Sequence, residues 1–536
     1  MRKLLSIILT AFMVISFTPL ATYAAGDTDD TRYEGYTLYV GNEKVTADYS
    51  SGENWSFDPD TKTLAITGLN ISLNNPTKYG IRILGSDSIN TFNILIKGRN
   101  EISTSVSTGN LVQCRNCNLN LRGSGTLYLT DNSKSGIKKR KVEGISVSGG
   151  DLIIGESAVL ETASSIKKSG NYNITGIQVT GGDIVIKNSA KLTSSTSNSL
   201  AYNSAIYTDG NLIVMDNSSV IATSGNTSND GSKSIAIFAK KGIQISSGTS
   251  IIAQSGNSKN ISYAINSSKG AISMTGGTLT IKAGKSTGKK NKKNKKCSSI
   301  GIITDSKNIE ITGGIIMSES SSALYSRSIS SGGSIYITGG TINATAGAGK
   351  KASSSSPNAA IYYKKDCLIQ NAKVSALSNA KVNGYGIYTA GTLPVIREVV
   401  NMKLGGNKSV INETPFYSSC APAIYAGKTK DNIEFIPNST VKTYKKKQYM
   451  QIDTVRNTTG YDLCLGTLTG VKDAKYTGKA IKPNVVVRYN GNKLIKGIDY
   501  TVRYTNNKAV GTARVIVSGK GEYTGGLSAT FKIKAK

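Results

Sequence analysis

A small residue followed by isoleucine recurs about every 30 residues through the middle of the chain. The two clearest copies begin at Gly144 and Gly176 and match almost residue for residue through the following Gly-Gly-Asp. The isoleucines of the first six copies are spaced 32, 29, 31, 28 and 37 residues apart. They are Ile145, Ile177, Ile206, Ile237, Ile265 and Ile302, and degenerate copies follow at Ile361, Ile387 and Ile424. A repeat of this length predicts stacked units, none of which buries its apolar face alone.

Within one unit the apolar residues alternate in the manner of short strands. Ile177 and Val179 fall on one strand, Ile184 and Ile186 on a second, and Leu192 on a third, with Gly-Gly between the first two. Alternation with glycine at the corners is typical of a parallel β-helix. We therefore predict an all-β chain dominated by a right-handed parallel β-helix, with the recurring isoleucines stacked inside at roughly 4.8 Å per coil.

Composition and the pattern of apolar residues divide the chain into four segments. Residues 1–24 combine Arg2 and Lys3 with a short apolar run and small residues before a cleavage site, which indicates a secretory signal peptide and an exported protein. Residues 25–70 are predicted to be a disordered start followed by a β cap, and residues 71–465 to be the β-helix. Residues 466–536 alternate in short strands over about 70 residues, which indicates a small Ig-like β-sandwich. No further segment is apolar enough to span a membrane.

Basic residues are concentrated between repeat units. The net charge is +32 and falls to +30 when Arg2 and Lys3 are removed with the signal peptide. Lysine clusters precede the first strand of several units, so they are predicted to project from one corner of the helix, where insertions are also concentrated. The alternative is that these lysines only keep the surface soluble. The candidate ligand-binding cations are Lys138, Lys139, Arg140, Lys141, Lys289, Lys290, Lys292, Lys293, Lys295 and Lys296.

Tyrosine is the second candidate for ligand contact, because aromatic rings stack on sugars. The chain has 27 Tyr against 8 Phe and a single Trp. Trp55 lies among turn residues of the predicted cap and is expected to pack there. The tyrosines selected as candidates that line a groove are Tyr202, Tyr207, Tyr362 and Tyr363.

Several chemistries are excluded or disfavoured. The chain has no histidine, which removes imidazole as base or metal ligand. Asp151 and Asp183 occupy matching positions after Gly-Gly, and we interpret them as turn caps rather than a catalytic pair. No cofactor is predicted; calcium stays possible, but no calcium-binding motif is present and any site would have to be assembled from dispersed oxygens. Six cysteines are too few for a disulfide framework, and we interpret them, including Cys114 and Cys117, as buried or incidental thiols.

Both ends of the chain resemble known exported proteins. Tyr36 to Gly41, Trp55 to Asp58 and Thr61 to Gly68 look like the start of a group of clostridial β-helix proteins, often described as carbohydrate-binding-domain-containing. The Tyr-Thr-Gly-Lys motif at Tyr476 and the Gly-Glu-Tyr-Thr-Gly motif at Gly521 resemble Ig-like repeats of Gram-positive surface proteins. The resemblance implies fold and export, and it carries over neither catalytic residues nor a cofactor.

These patterns favour a non-catalytic protein, secreted or associated with the cell wall, that binds an anionic glycan, a wall polymer or a host-surface polymer. Nucleic acid is a poor candidate partner, because aromatic residues do not alternate with the lysines. Two alternatives stay open. One is a polysaccharide lyase acting on uronate polymers with a Lys or Arg base, and the other is a structural surface spacer without a specific ligand.

Overall fold

The structure is a computed structural model of the chain. It describes residues 34–75, 79–86, 91–106, 110–133, 141–142, 144–164, 173–288, 297–349, 358–380, 384–389, 395–397, 401–405, 439–444, 447–453, 461–463, 466–489, 491–521 and 523–535. Within these ranges every named element is a β-strand. The predicted signal peptide lies outside the described residues.

The described residues form 51 short strands, numbered here in chain order. The first group is β1 (Tyr36–Val40), β2 (Glu43–Lys44), β3 (Ser51–Gly52), β4 (Trp55–Asp58), β5 (Thr63–Thr67), β6 (Asn70–Leu73), β7 (Ile81–Gly85), β8 (Thr91–Lys97), β9 (Arg99–Thr104), β10 (Val112–Arg115), β11 (Asn118–Gly123), β12 (Thr126–Asp131), β13 (Lys141–Val142), β14 (Ile145–Ser148), β15 (Leu152–Ile154) and β16 (Val159–Ser164). The second is β17 (Asn173–Thr180), β18 (Ile184–Ile186), β19 (Lys191–Ser195), β20 (Tyr202–Thr208), β21 (Asn211–Val214), β22 (Ser219–Thr223), β23 (Lys233–Ala239), β24 (Gly242–Ile245), β25 (Ser250–Gln254), β26 (Ile261–Ser267), β27 (Ile272–Met274), β28 (Thr278–Lys282) and β29 (Ser298–Thr304).

The third group is β30 (Ile309–Ile311), β31 (Ile315–Glu319), β32 (Tyr325–Ser331), β33 (Ile335–Ile337), β34 (Thr341–Ala346), β35 (Asn358–Tyr363), β36 (Cys367–Gln370), β37 (Lys373–Ser378), β38 (Gly384–Thr389), β39 (Val395–Arg397), β40 (Asn401–Gly405), β41 (Ser439–Tyr444) and β42 (Lys447–Asp453). The last is β43 (Tyr461–Asp462), β44 (Thr467–Thr469), β45 (Ala474–Lys475), β46 (Val486–Tyr489), β47 (Asn492–Lys493), β48 (Tyr500–Thr505), β49 (Gly511–Gly519), β50 (Tyr523–Thr524) and β51 (Gly526–Lys534).

Three sheets of 14 strands wind together as a parallel β-solenoid, which confirms the predicted parallel β-helix architecture. Sheet A has the order β2-β1-β7-β10-β14-β17-β20-β23-β26-β29-β32-β35-β38, and β13 pairs with β17. Sheet B runs β3-β4-β5-β8-β11-β15-β18-β21-β24-β27-β30-β33-β36-β39. Sheet C runs β6-β9-β12-β16-β19-β22-β25-β28-β31-β34-β37-β40-β42-β41. Each coil contributes a strand to sheet A, then to sheet B, then to sheet C, and these strands pair with those of the coil before.

The recurring isoleucines form a single inward ladder in sheet A, as predicted. Ile145 pairs with Ile177, and the register continues without a shift through Ile206, Ile237, Ile265 and Ile302. All six are at most 1% exposed. The ladder also contains members that the repeat analysis did not identify, and these are Ile81, Val112 and Ile329. The copy expected at Ile424 lies outside the described residues.

The small residue before each isoleucine is required by packing between sheets A and C. A Cβ atom added to Gly176 would lie 2.3 Å from Ser194 Oγ and 2.8 Å from the Ala205 carbonyl oxygen. Ser194 Oγ donates to that same carbonyl at 2.7 Å. At Gly176 even a Cβ atom is too close to these atoms, so this coil requires Gly, and other coils hold small residues such as Ala205, Ala236 and Ser328 at the equivalent position.

The two ends of the solenoid contain antiparallel pairs. At the start β1 pairs antiparallel with β2 and β7, and β4 with β3 and β5. Parallel pairing already begins at β5, within residues 36–70, and continues at β6, which starts at Asn70. Trp55 is 8% exposed and belongs to the core. At the other end β42 pairs antiparallel with β40 and β41.

The last part of the chain has small sheets of its own. They have the orders β43-β50, β44-β46-β47 and β45-β51-β49-β48. One apolar cluster draws residues from the three- and four-stranded sheets, including Val487, Tyr500, Val517 and Leu527. Across the described residues, no helix has the length and apolar character that crossing a membrane requires.

Candidate functional site

The segments that carry the lysine clusters all connect sheet C to sheet A. Lys138, Lys139 and Arg140 fall between β12 and β13, and residues 289–296, with Lys289, Lys290, Lys292, Lys293, Lys295 and Lys296, fall between β28 and β29. The pairs at 167–168 and 350–351 lie in the connections from β16 to β17 and from β34 to β35. These basic residues lie outside the described residues. Their flanking strands nonetheless show that each connection leaves and enters the solenoid at the same edge, here called the C–A corner.

Lys141 is the one cation of these clusters whose backbone is described. It lies in β13 and pairs with Asn173 of β17, which in turn pairs with Tyr202 of β20. Two candidates from distant parts of the sequence, Lys141 and Tyr202, therefore occupy one row of sheet A, two strands apart. Their Cα atoms are separated by about 10 Å at the usual strand spacing.

Where its loops are described, the C–A corner is held by side-chain amides that link successive coils. The Oδ1 atom of Asn198 accepts from the backbone N–H of Asn226 at 2.8 Å, and Asn226 Oδ1 accepts from Asn257 N–H at 2.7 Å. Asn257 Oδ1 accepts from Lys285 N–H at 2.8 Å. Because each amide satisfies a backbone donor of the next coil, the corner keeps its register from coil to coil.

The outer face of sheet A carries one continuous row of side chains that alternate with the core. We call it the outer row. Its members are paired in register from strand to strand, and Gln178 and Tyr207 are neighbours in it. The outer row consists of Arg82, Gln113, Ser146, Gln178, Tyr207, Phe238, Asn266, Ile303, Ser330, Tyr362 and Tyr388.

Tyr207 belongs to the outer row and is held by its neighbours. Its ring is stacked on Phe238 with centroids 5.0 Å apart and planes 10° from parallel. Its hydroxyl donates to Asp209 Oδ1 at 3.1 Å, and the same oxygen accepts from Lys240 Nζ at 3.2 Å. Burial, with Asp209 as a secondary cause, raises the pKa of Tyr207. The ring is partly exposed and can still offer a face to a ligand.

Tyr362 lies in the same row, five strands from Tyr207 and about 24 Å along the solenoid. It is 5% exposed. The guanidinium carbon of Arg327 lies 3.6 Å from its ring centroid, and Tyr388 stacks on it at 6.1 Å. Burial lowers the pKa of Arg327. This group is a cation–π stack, the geometry in which a desolvated cation is best stabilised by a ring.

Tyr202 packs against a separate apolar cluster on the outer face of sheet A. The buried members of that cluster are Ile235, Tyr263, Ile300 and Ile303. Burial raises the pKa of the Tyr202 hydroxyl far above its ordinary value. The Tyr202 side chain is therefore occupied mainly by contacts within the protein rather than presented to a ligand.

Tyr363 is a correction to the groove hypothesis. It is 0% exposed and belongs to the solenoid core. Because side chains alternate along a strand, Tyr362 and Tyr363 point to opposite faces of β35. Only Tyr362 faces outward, so Tyr363 is not positioned to contact a ligand.

The two aspartates that follow Gly-Gly are structural, as predicted. Asp151 Oδ1 accepts from the backbone N–H of Asp183 at 2.7 Å, and Asp183 Oδ1 accepts from the backbone N–H of Asn211 at 2.7 Å. Asn118 Oδ1 begins the same ladder by accepting from Asp151 N–H at 2.8 Å. Each carboxylate is therefore committed to a turn in the next coil. Among the described residues, no group of three or more acidic or cysteine side chains is placed to hold a metal ion.

The cysteines follow the prediction only in part. Cys114 and Cys117 are fully buried and form a disulfide, so the interpretation of these two as thiols is wrong. Their spacing brings the two side chains together across the turn from sheet A to sheet B. Cys297 and Cys367 are buried thiols, as predicted. Burial raises the pKa of both. Cys420 and Cys464 lie outside the described residues.

No family model, curated protein or solved structure matches the chain. The resemblance to exported clostridial β-helix proteins and to Ig-like surface repeats therefore stays a prediction.

Several residues of the outer row escaped the sequence analysis. Gln178 and Phe238 are unremarkable in the sequence, because the residue type at this position changes from repeat to repeat. Arg327, which pairs with Ile300 and Ala359 in a different row of sheet A, was missed as well. A signal was available in the aligned copies, since the residue after the recurring isoleucine is always outward. In consecutive coils the residue directly after the isoleucine is Gln178, Tyr207, Phe238 and Asn266.

Proposed function

We propose that the protein is a non-catalytic binding protein, secreted or held at the cell surface, that binds an anionic polysaccharide or wall polymer through the C–A corner. The observation that supports this most is the connectivity of the lysine clusters. All four clustered segments join a strand of sheet C to the next strand of sheet A. Because these segments all begin and end at the same corner, the proposal expects their charge on one side of the solenoid.

The spacing of the clusters favours a polymer over a small anion. From the coil of β14 to the coil of β29 is five strands in sheet A, and to β35 seven strands. At the usual strand spacing these separations are about 24 Å and about 34 Å. A chain that contacts two clusters gains from the second contact being intramolecular, so affinity should rise with polymer length.

The overall charge supports the same partner. The chain has 65 Lys and Arg against 33 Asp and Glu. A large charge of one sign raises the local concentration and the association rate of an oppositely charged polymer. It also predicts that binding weakens as salt screens these contacts.

The finer architecture belongs to this proposal. A right-handed winding follows the general preference of parallel crossovers. The antiparallel strands β1 to β4 would cap the open apolar end of the solenoid, since a stack of coils needs such a cap. The C-terminal sheets would be an Ig-like spacer or a second attachment module, and residues 1–24 would direct export.

The test is chromatography on heparin and on polygalacturonate resins along a salt gradient. The corner variant replaces Lys138, Lys139, Arg140 and Lys141 with Gln. Its matched control replaces four exposed lysines of the C-terminal sheets, Lys472, Lys475, Lys479 and Lys482, also with Gln. Both variants lose four positive charges, so they differ only in where the charge is lost.

We expect the corner variant to elute at clearly lower salt and the control to elute close to the unmodified protein. Equal losses in both variants would contradict a site at the corner and leave only general charge attraction. Absence of retention by the unmodified protein at low salt would reject the proposal. Release of unsaturated sugars during incubation with polygalacturonate would reject the non-catalytic assignment in favour of a lyase.

A further inference from the structure

Three consecutive strands of sheet A place an amide beside two aromatic rings on the outer face. Gln178 of β17 pairs with Tyr207 of β20, and Tyr207 pairs with Phe238 of β23. The three side chains therefore occupy adjacent positions of the outer row, about 10 Å from first to last. Asn266, on the other side of Phe238, also carries a carboxamide, but of the two only Gln178 has a buried acceptor without a partner.

Gln178 has an unused acceptor. Its side chain is 9% exposed, and its Oε1 atom has no hydrogen-bond partner. A buried polar atom without a partner destabilises the protein on its own, because water is removed and nothing replaces it. Gln113, two strands away in the same row, shows the usual situation, since its Oε1 accepts from Arg82 Nε at 3.1 Å. Gln178 Oε1 is thus an unpaired acceptor just below the outer face, which a ligand hydroxyl reaches once the side chain rotates outward.

The aromatic pair beside it is rigid and electrically compensated. Tyr207 and Phe238 are close to parallel, and the Tyr207 hydroxyl is fixed by Asp209. The Asp209 carboxylate that accepts from this hydroxyl is itself paired with Lys240 at 3.2 Å. An anionic ligand therefore meets a neutralised carboxylate rather than a free one.

We propose that Gln178, Tyr207 and Phe238 form a sugar subsite of the protein. A pyranose ring packs its C–H face on the aromatic pair, and one of its hydroxyls donates to Gln178 Oε1. This inference rests on the proposed function, and it identifies the ligand as a polymer of pyranose units that carry both hydroxyls and anionic groups. A simple polyphosphate has no hydroxyl to donate and no apolar ring face to stack.

The subsite and the C–A corner can be occupied by one polymer. β17 begins at Asn173 directly after the corner, and Gln178 lies five residues further along the strand. Five residues of strand correspond to about 17 Å. A short chain of sugars spans that distance, so the lysines supply charge at one end while the row supplies ring contacts at the other.

The experiment measures binding of polygalacturonate by calorimetry at several salt concentrations. The subsite variants are Gln178→Leu, which keeps the volume and removes the acceptor, and Tyr207→Ala. Matched controls on sheet B are Gln244→Leu and Tyr336→Ala, whose side chains also face outward. Circular dichroism of every variant reports whether the solenoid is intact.

We expect each subsite variant to bind about three- to tenfold more weakly, and the controls to bind as the unmodified protein does. Hydrogen bonding and stacking respond little to salt, so the slope of log affinity against log salt should stay unchanged. The corner variant should reduce that slope instead.

The two proposals fail in different ways. If the corner variant loses affinity while Gln178→Leu and Tyr207→Ala bind normally with an intact fold, the subsite is refuted and binding at the corner stands. If the subsite variants lose affinity and the corner variant does not, the charge-based function is refuted and the subsite stands. Polyphosphate bound as tightly as polygalacturonate, with no effect of Gln178→Leu on either, also overturns the subsite.

Discussion

The isoleucine ladder allows a quantitative test of how the solenoid is held together. Ile237 is 0% exposed and lies between Ile206 and Ile265. Replacement by Ala removes three carbon atoms from a position that is enclosed by the coils above and below. At about 0.8 kcal/mol per buried carbon, the transfer term is about 2.4 kcal/mol. The cavity that remains adds to this, so we expect a loss of about 3–4 kcal/mol.

Ile221 provides a matched control for this substitution. It lies one coil earlier, faces outward on β22 and is 41% exposed. Ile221→Ala removes the same atoms from a surface position, so its effect on the free energy of unfolding should stay within about 0.5 kcal/mol. Any general consequence of replacing isoleucine in a strand is shared by both variants and cancels in the comparison.

The assay is urea denaturation followed by circular dichroism, with both variants and the unmodified protein measured side by side. A lower midpoint with an unchanged slope reports lost stability. If Ile237→Ala unfolds in a separate early transition, the coils are only locally coupled, as nearest-neighbour stacking permits. Equal effects of Ile237→Ala and Ile221→Ala would refute the assignment of the ladder as the principal core.

Three further predictions concern single sites. Gly176→Val should lower the urea midpoint far more than Ala205→Gly, because its Cβ would lie 2.3 Å from Ser194 Oγ; similar midpoints for the two would contradict the packing argument. Burial raises the pKa of Tyr263 above its ordinary value of 10.0, so the unfolded chain loses this proton first and stability falls as pH rises above 10.0. The free energy of unfolding, measured in alkaline buffers, should therefore fall less steeply with pH in Tyr263→Phe. The same pH dependence in both proteins would contradict a role for this hydroxyl. Cys367 is 2% exposed and its pKa is raised, so native protein should resist alkylation there, as mass spectrometry of the digested protein would show; rapid modification would mean that the coil opens.

The ladder could be predicted because the small residue and the isoleucine that follows it make the same packing contacts in every coil. A small residue is needed where sheet A approaches Ser194 and its equivalents, and isoleucine fills the interior beside it. The copy at Ile329 was missed because serine occupies the small position. Ser328 fits for the same reason, and its carbonyl oxygen accepts from Ser318 Oγ at 3.1 Å.

The outer row was harder to predict because alternation breaks within the strands of sheet A. Ala205 and Ile206 are consecutive and both belong to the core. A strict period of two would place one of them on the outer face. The alternation of inward and outward side chains therefore shifts by one residue at this point of the strand. Tyr202 and Tyr207 both face outward although five residues separate them, which a period of two forbids. The register between coils, rather than the pattern within one, defines the row.

The asparagine ladder at the C–A corner also escaped prediction. Asn198, Asn226 and Asn257 stand in variable polar loops between the repeat units. Their role depends on the backbone donor of the next coil, which is about 30 residues away in the chain and adjacent in space. Side-chain contacts between coils of this kind have no local sequence signature.

Confining insertions to one corner has a consequence for how such a chain can diversify. Residues added between sheet C and sheet A start and end on strands whose register is set by the coils on either side. A loop can therefore lengthen, shorten or change charge without altering the height of any other loop. Variants with new surface specificity are reachable by small genetic steps that leave every core contact as it was.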